Sequence, residues 1–332
     1  MQTVASGVAI IGSGSASPAA SLDNDGISQV VDTSDEWIAT RTGIRNRYLA
    51  SPQESLTDIA TLAGQRALAM ANVTALDLDM VLLATSTPDD LFGSACQVQG
   101  ALGAKHAVAF DLTAACSGFV FGLVTAAQFI RTGTYRTVLL IGADLLSRWV
   151  DWSDRGTCVL FGDGAGAVVL QANDCDRFLG FALQSDGSQN SCLNLGYQPK
   201  AQPLTANLSV SQGTYQPLTM QGKEVYRFAV NRVPEIIEKA LFQANLDAKQ
   251  LDWLLLHQAN QRILDAVAKR LRIDDQKVIS NMASYGNTSA ASIPLALDET
   301  LRKGQIKSGD VIATAGFGAG LSWGAAIFAW GP

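Results

Sequence analysis

The chain has 332 residues, 48% of them apolar and 16% charged, with 24 basic against 30 acidic side chains and a formal charge of −6. That apolar content excludes global disorder, and the length suits one large domain or two of ordinary size. The acidic balance, with a pI near 4.9, argues against a general nucleic-acid binder, which needs a basic footprint to neutralise phosphates.

Taken in chain order, the apolar pattern predicts a short strand at Val8–Ile11, a helix at Leu56–Ala71 and strands at Val81–Ala84 and Ala107–Leu112. A helix at Gly118–Thr132 follows, then strands at Val138–Gly142 and Val159–Leu170. The polar, Gln-rich segment Gln184–Met220 reads as a surface excursion. The second half alternates in the same way, with helix Val225–Ala244, strand Trp253–Leu256, helix Ala259–Leu271, a helix after Asn287, and strands Val311–Ala315 and Ala325–Trp330. Strands separated by helices predict α/β layers with largely parallel pairing. Val311–Trp330 carries no charge and is long enough to span a bilayer. Its glycines 316, 318, 320 and 324 read better as a turn between two buried strands.

Five cysteines, at 96, 116, 158, 175 and 192, form no C-x-x-C pair, and the only histidines are His106 and His257. This argues against a disulfide scaffold and a zinc site, and for a reducing compartment, the cytoplasm or, for a processed eukaryotic chain, the plastid stroma. The first basic residue is Arg41, so no charged leader of a secretory signal is expected.

The halves share a hidden repeat. Ala67–Leu83 and Ala240–Leu256 align without gaps at an offset of 173, with nine of 17 positions identical. Each copy reads as a helix end, a turn and a buried strand, so two homologous halves are expected, joined near Gln171–Phe178.

Three residues could carry chemistry. Cys116, in Ala-Ala-Cys-Ser-Gly, lies where a strand turns into a helix. There the positive helix end would favour a thiolate, and free N–H groups could hold an oxyanion. A buried structural cysteine is the other reading. His257 ends a continuous apolar strand, where ligand crevices form in parallel sheets, or is a satisfied core histidine. Asn287 precedes a helix as an ordinary N-cap would. Its number less 173 is 114, within two residues of Cys116, so the two could converge on one axis.

Two glycine motifs are decoys. Gly12-Ser-Gly-Ser-Ala-Ser lacks the third glycine of a dinucleotide fingerprint, and Gly162-Asp-Gly-Ala-Gly has no Lys-Ser/Thr after it. Tight strand packing explains both better. Arg262, Lys269 and Arg270, at i, i+7 and i+8, share one helix face, either a solvated face or a landing site for an acidic partner.

Six segments in combination, TSDEWIATRTGIRNR (33–47), AACSGF (114–119), DRGTCVLFGDGAGA (154–167), HQANQR (257–262), YGNTSAAS (285–292) and GFGAGLSWG (316–324), resemble those of β-ketoacyl-[acyl-carrier-protein] synthase III. These are the initiating condensing enzymes of type II fatty-acid synthesis, and the resemblance runs from about Val8 to Phe328. It implies the thiolase fold: two similar α/β halves, 1–174 with the nucleophile and 175–332 with His and Asn, in five α-β-α-β-α layers, usually as a homodimer. It implies that Cys116 takes an acyl group from acyl-CoA, typically acetyl-CoA. His257 and Asn287 then stabilise the enolate formed as malonyl-carrier protein loses CO2, and the carbanion attacks the acyl-Cys. No metal or redox cofactor is implied.

The resemblance also places Trp37, Arg41 and Arg155 at the CoA, and Ala319 with Cys116 as oxyanion donors. It places Phe317 in the acyl pocket and Phe92 in that of the partner subunit. The carrier-protein dock is implied at Gln258, Ala259, Asn260, Gln261 and Arg262, with Arg227, Lys269 and Arg270. Elongating synthases carry His where this chain has Asn287, and biosynthetic thiolases have a second cysteine absent from Phe317–Leu321. A polyketide-type Cys-His-Asn condensing enzyme and a non-catalytic acyl-binding dimer are the remaining alternatives.

Overall fold

The computed structural model describes residues 7–332. The local signals of the repeat explain its two copies. Helix Leu56–Ala71 starts on a Ser55–Asp58 capping box and ends at Asn72, in the left-handed conformation at φ 53°. Helix Gly222–Ala244 ends the same way at Asn245, φ 54°. A short asparagine tolerates this conformation better than most side chains, so both helices stop at the same place. One-turn 3-10 helices at Ala75–Asp77 and Ala248–Gln250 then feed the buried strands Met80–Ala84 and Trp253–Leu256.

Two five-stranded sheets result. The first runs in the order Gly7–Ala16, Asp163–Asn173, Thr137–Leu145, Met80–Ala84, Val108–Leu112. The second runs Phe178–Ser185, Ser322–Ala329, Val311–Gly318, Trp253–Leu256, Val278–Ile279. Strand for strand the topology is the same, and the chain changes sheet between Asn173 and Phe178. The pairing corrects the largely parallel expectation: each sheet has two antiparallel and two parallel pairs. Strands buried on both faces are apolar throughout, and such runs carry no sign of direction.

Helices Gly118–Arg131 and Ser292–Arg302 lie between the sheets. Phe119, Val120, Leu123 and Ala127 of the first, and Ile293, Ala296 and Leu297 of the second, pack among strands of both. Helix Leu56–Ala71 covers the outside of the first sheet, and Gly222–Ala244 with Gln261–Leu271 covers the second. This is the five-layered thiolase fold. Burying each large aliphatic or aromatic side chain in the middle layer contributes about 1.5–3 kcal/mol, so this layer anchors the two helix starts described below.

Gly12 is not part of a phosphate loop. A Cβ on it would lie 2.6 Å from the Ala67 carbonyl and 2.7 Å from the Ala71 Cβ. Gly180 meets Ala240 and Ala244 in the same way, at 2.5 and 3.1 Å. Each sheet therefore lets its outer helix approach through one glycine, opposite residues 173 apart.

Other boundaries moved. The strand expected at Val159–Leu170 begins at Asp163. Residues 159–162 form a buried turn, whose apolar side chains look like strand because they face the interior. The charge-free stretch Val311–Trp330 is the expected hairpin, and no described helix is long and apolar enough to cross a membrane. In the polar excursion, Tyr197–Thr205 and Leu208–Tyr215 pair as an exposed hairpin.

Candidate active site

The chemistry gathers where two helix starts meet. After strand Val108–Leu112 the chain passes Ala115 at φ 46° into the 3-10 turn Ala115–Ser117 and helix Gly118–Arg131. In the other half it passes Ser289 at φ 51° into Ser289–Ala291 and helix Ser292–Arg302. The offset is 289 − 115 = 174, so the structural counterpart of Cys116 is Ala290, and Asn287 lies three residues earlier. The sequence expectation of convergence holds in space. Ser289 Oγ lies 3.4 Å from Cys116 Sγ.

Two glycines, 174 apart, admit these turns. A Cβ on Gly142 would lie 2.2 Å from the Ala290 carbonyl oxygen, and one on Gly316 3.0 Å from the Ser117 Cα. Each half's sheet thus receives the other half's turn against bare backbone.

Cys116 lines a cavity of about 760 Å³ that also touches His257, Asn287, Phe317 and Ala319. The thiolate expected from the helix end is not the resting form. Burial, with the charge of Asp144, pushes the Cys116 thiol up to about 12, against the smaller pull of the Ser289 hydroxyl. The sulfur therefore rests as a thiol and must lose its proton as it reacts.

His257 extends the second sheet, its N–H donating to the Ala315 carbonyl at 2.8 Å. Its Nδ1 lies 2.7 Å from Ser292 Oγ, which also accepts the Gln258 N–H at 3.3 Å. A Ser292 hydroxyl donating to Nδ1 would leave the His257 proton on Nε2. Burial pushes the imidazole down to about 3, so it is neutral at physiological pH. The Phe317 ring packs edge-on against it, centroids 5.3 Å apart.

Asn287 is held on both sides. Its N–H donates to the Leu160 carbonyl at 2.9 Å, and its carbonyl accepts from Gly162 at 3.0 Å. The turn at residues 159–162 is thus the mount of Asn287. Its Oδ1 accepts the Ser289 N–H at 2.9 Å, which leaves the side-chain NH2 as a free donor. Asn287 is not the N-cap of helix Ser292–Arg302, which starts after a further turn.

The remaining candidates divide. The N–H groups of Cys116 and Ala319 make no backbone hydrogen bond among the described residues. Trp37 has the Arg41 guanidinium 4.5 Å and the Arg155 guanidinium 5.0 Å from its ring centre. Two of the three expected CoA residues, Arg41 and Arg155, therefore pack on the third, Trp37. Phe92 is 99% exposed and lines no part of its own chain's cavity.

Helix Gln261–Leu271 starts two residues later than expected, because the Asn260 side chain caps it by accepting the Arg262 N–H. Ala259 and Asn260 line the cavity, Gln261 is half-buried, and Arg262, Lys269 and Arg270 are exposed on one face. Asn260 and Arg262 donate to the carbonyls of Arg41 and Thr40, clamping this helix to the one that carries Trp37. Arg270 is paired with Glu235 and Arg227 with Glu224. Gln258 is a correction: it is fully buried, its amide spent on Leu256, Ile279 and Asn281, so it presents nothing to a carrier protein.

Sequence reasoning missed three groups. Ser289 and Ser292 stood inside the YGNTSAAS segment without a role. Asp144 was signalled only as a lone acid inside the apolar run 137–145. The excursion at 184–220 was also underestimated, since Leu193, Tyr215, Leu218 and Met220 wall the cavity.

Two like sheets enclosing paired helices, with a cysteine and a neutral imidazole at their meeting point, define a thiolase-fold condensing enzyme. Sequence profiles agree. The 3-oxoacyl-[acyl-carrier-protein] synthase III profile matches residues 110–187, and that of its C-terminal part matches 241–330. A β-ketoacyl-[acyl-carrier-protein] synthase III of Acaryochloris marina is 73% identical over 99% of both chains. The crystal structure of 3-oxoacyl-[acyl-carrier-protein] synthase III from Aquifex aeolicus superposes with a TM-score of 0.90 at 42% identity, covering 98% of this chain and all of that one. The priming β-ketosynthase of the R1128 polyketide pathway also gives a TM-score of 0.90, at 33% identity and 98% and 97% coverage. The chain belongs to the β-ketoacyl-[acyl-carrier-protein] synthase III family.

Proposed function

We propose that this enzyme condenses an acyl-CoA primer, typically acetyl-CoA, with malonyl-acyl carrier protein, giving 3-oxoacyl-acyl carrier protein, CoA and CO2. In this reading Cys116 attacks the primer thioester and CoA leaves. The N–H groups of Cys116 and Ala319 hold the oxyanion. Malonyl-carrier protein then enters, and His257 Nε2–H and Asn287 NH2 hydrogen-bond its thioester oxygen while CO2 departs. The resulting carbanion attacks acyl-Cys116. Decarboxylation supplies the carbanion, so the scheme needs no metal or redox cofactor.

One observation carries the proposal: a neutral imidazole whose Nδ1 is engaged by Ser292, and an amide with its oxygen already occupied, both open on the cavity of Cys116. Two oriented neutral donors suit a developing enolate and would be poor bases. The test is incubation with acetyl-CoA and malonyl-carrier protein. A 3-oxoacyl product with matching CO2, and an acetyl group on Cys116 by mass spectrometry when malonyl-carrier protein is omitted, support it. Binding without covalent acetylation contradicts it.

The same reading covers the partners. The basic face with Arg262 receives the acidic carrier protein, and Trp37, Arg41 and Arg155 receive CoA. Residues 1–174 and 175–332 are read as copies of one ancestral unit. Edge strand Val108–Leu112 leaves Val108 and Phe110 exposed, beside Leu91 and the fully exposed Phe92. This supports a homodimer in which the strand pairs with its copy and Phe92 enters the other subunit's pocket. The free cysteines among the described residues agree with a cytoplasmic location.

A further inference from the structure

A buried cation stands behind Asn287. Arg47, in the short strand Asn46–Leu49, has no exposed surface and is the largest side chain buried to that degree among the described residues. Its guanidinium donates only to neutral oxygens. Nη1 reaches the Leu22 carbonyl at 3.1 Å, and Nη2 reaches Asn24 Oδ1 at 2.8 Å and the Val159 carbonyl at 2.9 Å. Burial pushes the guanidinium down to about 10, so it keeps its charge at neutral pH. A cation taken out of water is costly, and an apolar side chain of like volume would fill the same space without that cost.

The charge sits where the two segments that hold Asn287 cross. One is the turn at residues 159–162. Arg47 grips its first carbonyl, that of Val159. The next carbonyl, that of Leu160, takes the Asn287 N–H at 2.9 Å, and the Gly162 N–H returns a bond to the Asn287 carbonyl at 3.0 Å. The other segment is the approach to Asn287, helix Met282–Tyr285 followed by Gly286 at φ 64°. A Cβ on Gly162 would lie 2.5 Å from the Tyr285 carbonyl oxygen and 3.1 Å from the Arg47 Cβ. One on Gly286 would lie 2.8 Å from the Leu160 carbonyl oxygen and 3.7 Å from the Arg47 Cβ. The chain neighbours of Arg47 tie down the same approach. The Arg45 N–H donates to the Ala283 carbonyl at 3.1 Å, the Asn46 amide donates to the Ser284 carbonyl at 3.2 Å, and the Tyr48 ring packs on that of Tyr285.

We propose that Arg47 is a positioning residue: by gripping the Val159 carbonyl it fixes the turn that carries Asn287, and so aims the Asn287 amide into the cavity. The inference rests on the role of Asn287 in the condensing reaction above and deepens it. Arg47 lines no part of the cavity, so it acts through Asn287. The planar fork explains the choice of arginine, since one rigid group joins oxygens from three separate points of the chain. A charged donor also holds a carbonyl more firmly than a neutral one. Leu160 and Phe161 of the same turn do line the cavity. A general slackening of the pocket would therefore disturb acyl transfer as well, whereas a misdirected Asn287 affects decarboxylation alone.

The experiment compares full-length wild type, Arg47→Met and Arg47→Lys, each also in an Asn287→Ala background. Single turnover separates acetylation of Cys116 by acetyl-CoA from decarboxylation of malonyl-carrier protein. Arg47→Met should slow decarboxylation by roughly tenfold to hundredfold, the cost of a small misplacement of one group, with acetylation within about twofold of wild type. The KM for malonyl-carrier protein should hardly change. Arg47→Lys should recover part of the loss. Added to Asn287→Ala, Arg47→Met should cost less than about twofold more, because the group it aims is gone. Hydrogen exchange read by mass spectrometry follows the mount without the reaction. The Asn287 and Gly162 amides should exchange faster in Arg47→Met, while helix Gly118–Arg131 keeps its wild-type protection. Equal losses of acetylation and decarboxylation, a full further loss in the Asn287→Ala background, or unchanged exchange at both amides each overturns the positioning role. If Arg47→Met does not fold, Arg47→Lys decides by the same readouts, with a milder loss confined to decarboxylation expected. Exchange as described in an enzyme whose wild type makes no 3-oxoacyl product would overturn the condensing reading and leave the mount standing.

Discussion

The two halves share a backbone device and divide the chemistry. Each brings a strand into a left-handed residue, Ala115 or Ser289, then a single 3-10 turn and a helix buried between the sheets. Each turn docks against a bare glycine of the other half. The first half places one sulfur there. The second places no nucleophile at the matching position, Ala290, but surrounds it with Asn287, Ser289 and Ser292, and brings His257 from the neighbouring strand. The duplicated backbone supplies position, and in the proposed reaction the side chains around it supply different steps, acyl transfer in one half and decarboxylation in the other.

The sharpest way to break this comparison is at the sulfur. Cys116→Ser should lower acyl transfer from acetyl-CoA by about a thousandfold or more, because a serine hydroxyl is far harder to ionise in the same buried site. Acetyl-enzyme formation by mass spectrometry checks it, and normal turnover would make Cys116 a structural residue. The second half answers next. His257→Ala and Asn287→Ala should each slow decarboxylation of malonyl-carrier protein by about 10²–10³-fold, the usual cost of one lost oxyanion donor.

A smaller effect is expected at the surface. Arg262→Glu should raise the KM for malonyl-carrier protein about tenfold while leaving acetylation of Cys116 intact, and added salt should narrow the difference. Arg270→Glu should do less, because Arg270 already faces Glu235. Equal losses with a short malonyl-pantetheine substrate would remove the docking role. The symmetry of the two glycines can also be sharpened by calorimetry. Gly142→Ala should lower stability by roughly 3 kcal/mol and Gly316→Ala by roughly 1, since the first clash is with backbone at 2.2 Å and the second at 3.0 Å.

The smallest effect is the absence of one. An ordinary histidine charges near 6.5, but burial holds His257 down to about 3. It therefore stays neutral from pH 8 to pH 5, and decarboxylation should show no inflection near 6.5 in that window. An inflection there would mean a solvated imidazole.

Much of this arrangement was written locally. Helix Leu56–Ala71 and strand Trp253–Leu256 have the limits that their caps and apolar runs dictate. The 173-residue repeat exposed the two halves, and the Cys116, His257 and Asn287 contexts pointed to strand ends and helix starts. What stayed hidden depends on distance in space. Strand direction leaves no trace in runs buried on both faces. Val159 to Phe161 is apolar because it packs beside Asn287, and so it imitated a strand. The thiol state of Cys116 depends on burial and on Asp144, and Gln258 is spent inside the fold although it adjoins the exposed helix. Ser289 meets Cys116, 173 residues away, through a backbone angle that no local pattern encodes.

The division of labour is tested most directly by single turnover in the Asn287→Ala variant. Acetyl-CoA should acetylate Cys116 at within a few-fold of the wild-type rate, and a chase with malonyl-carrier protein should then stall, leaving the acetyl group on the sulfur. Loss of acetylation and decarboxylation by the same factor would contradict the separation of the two halves.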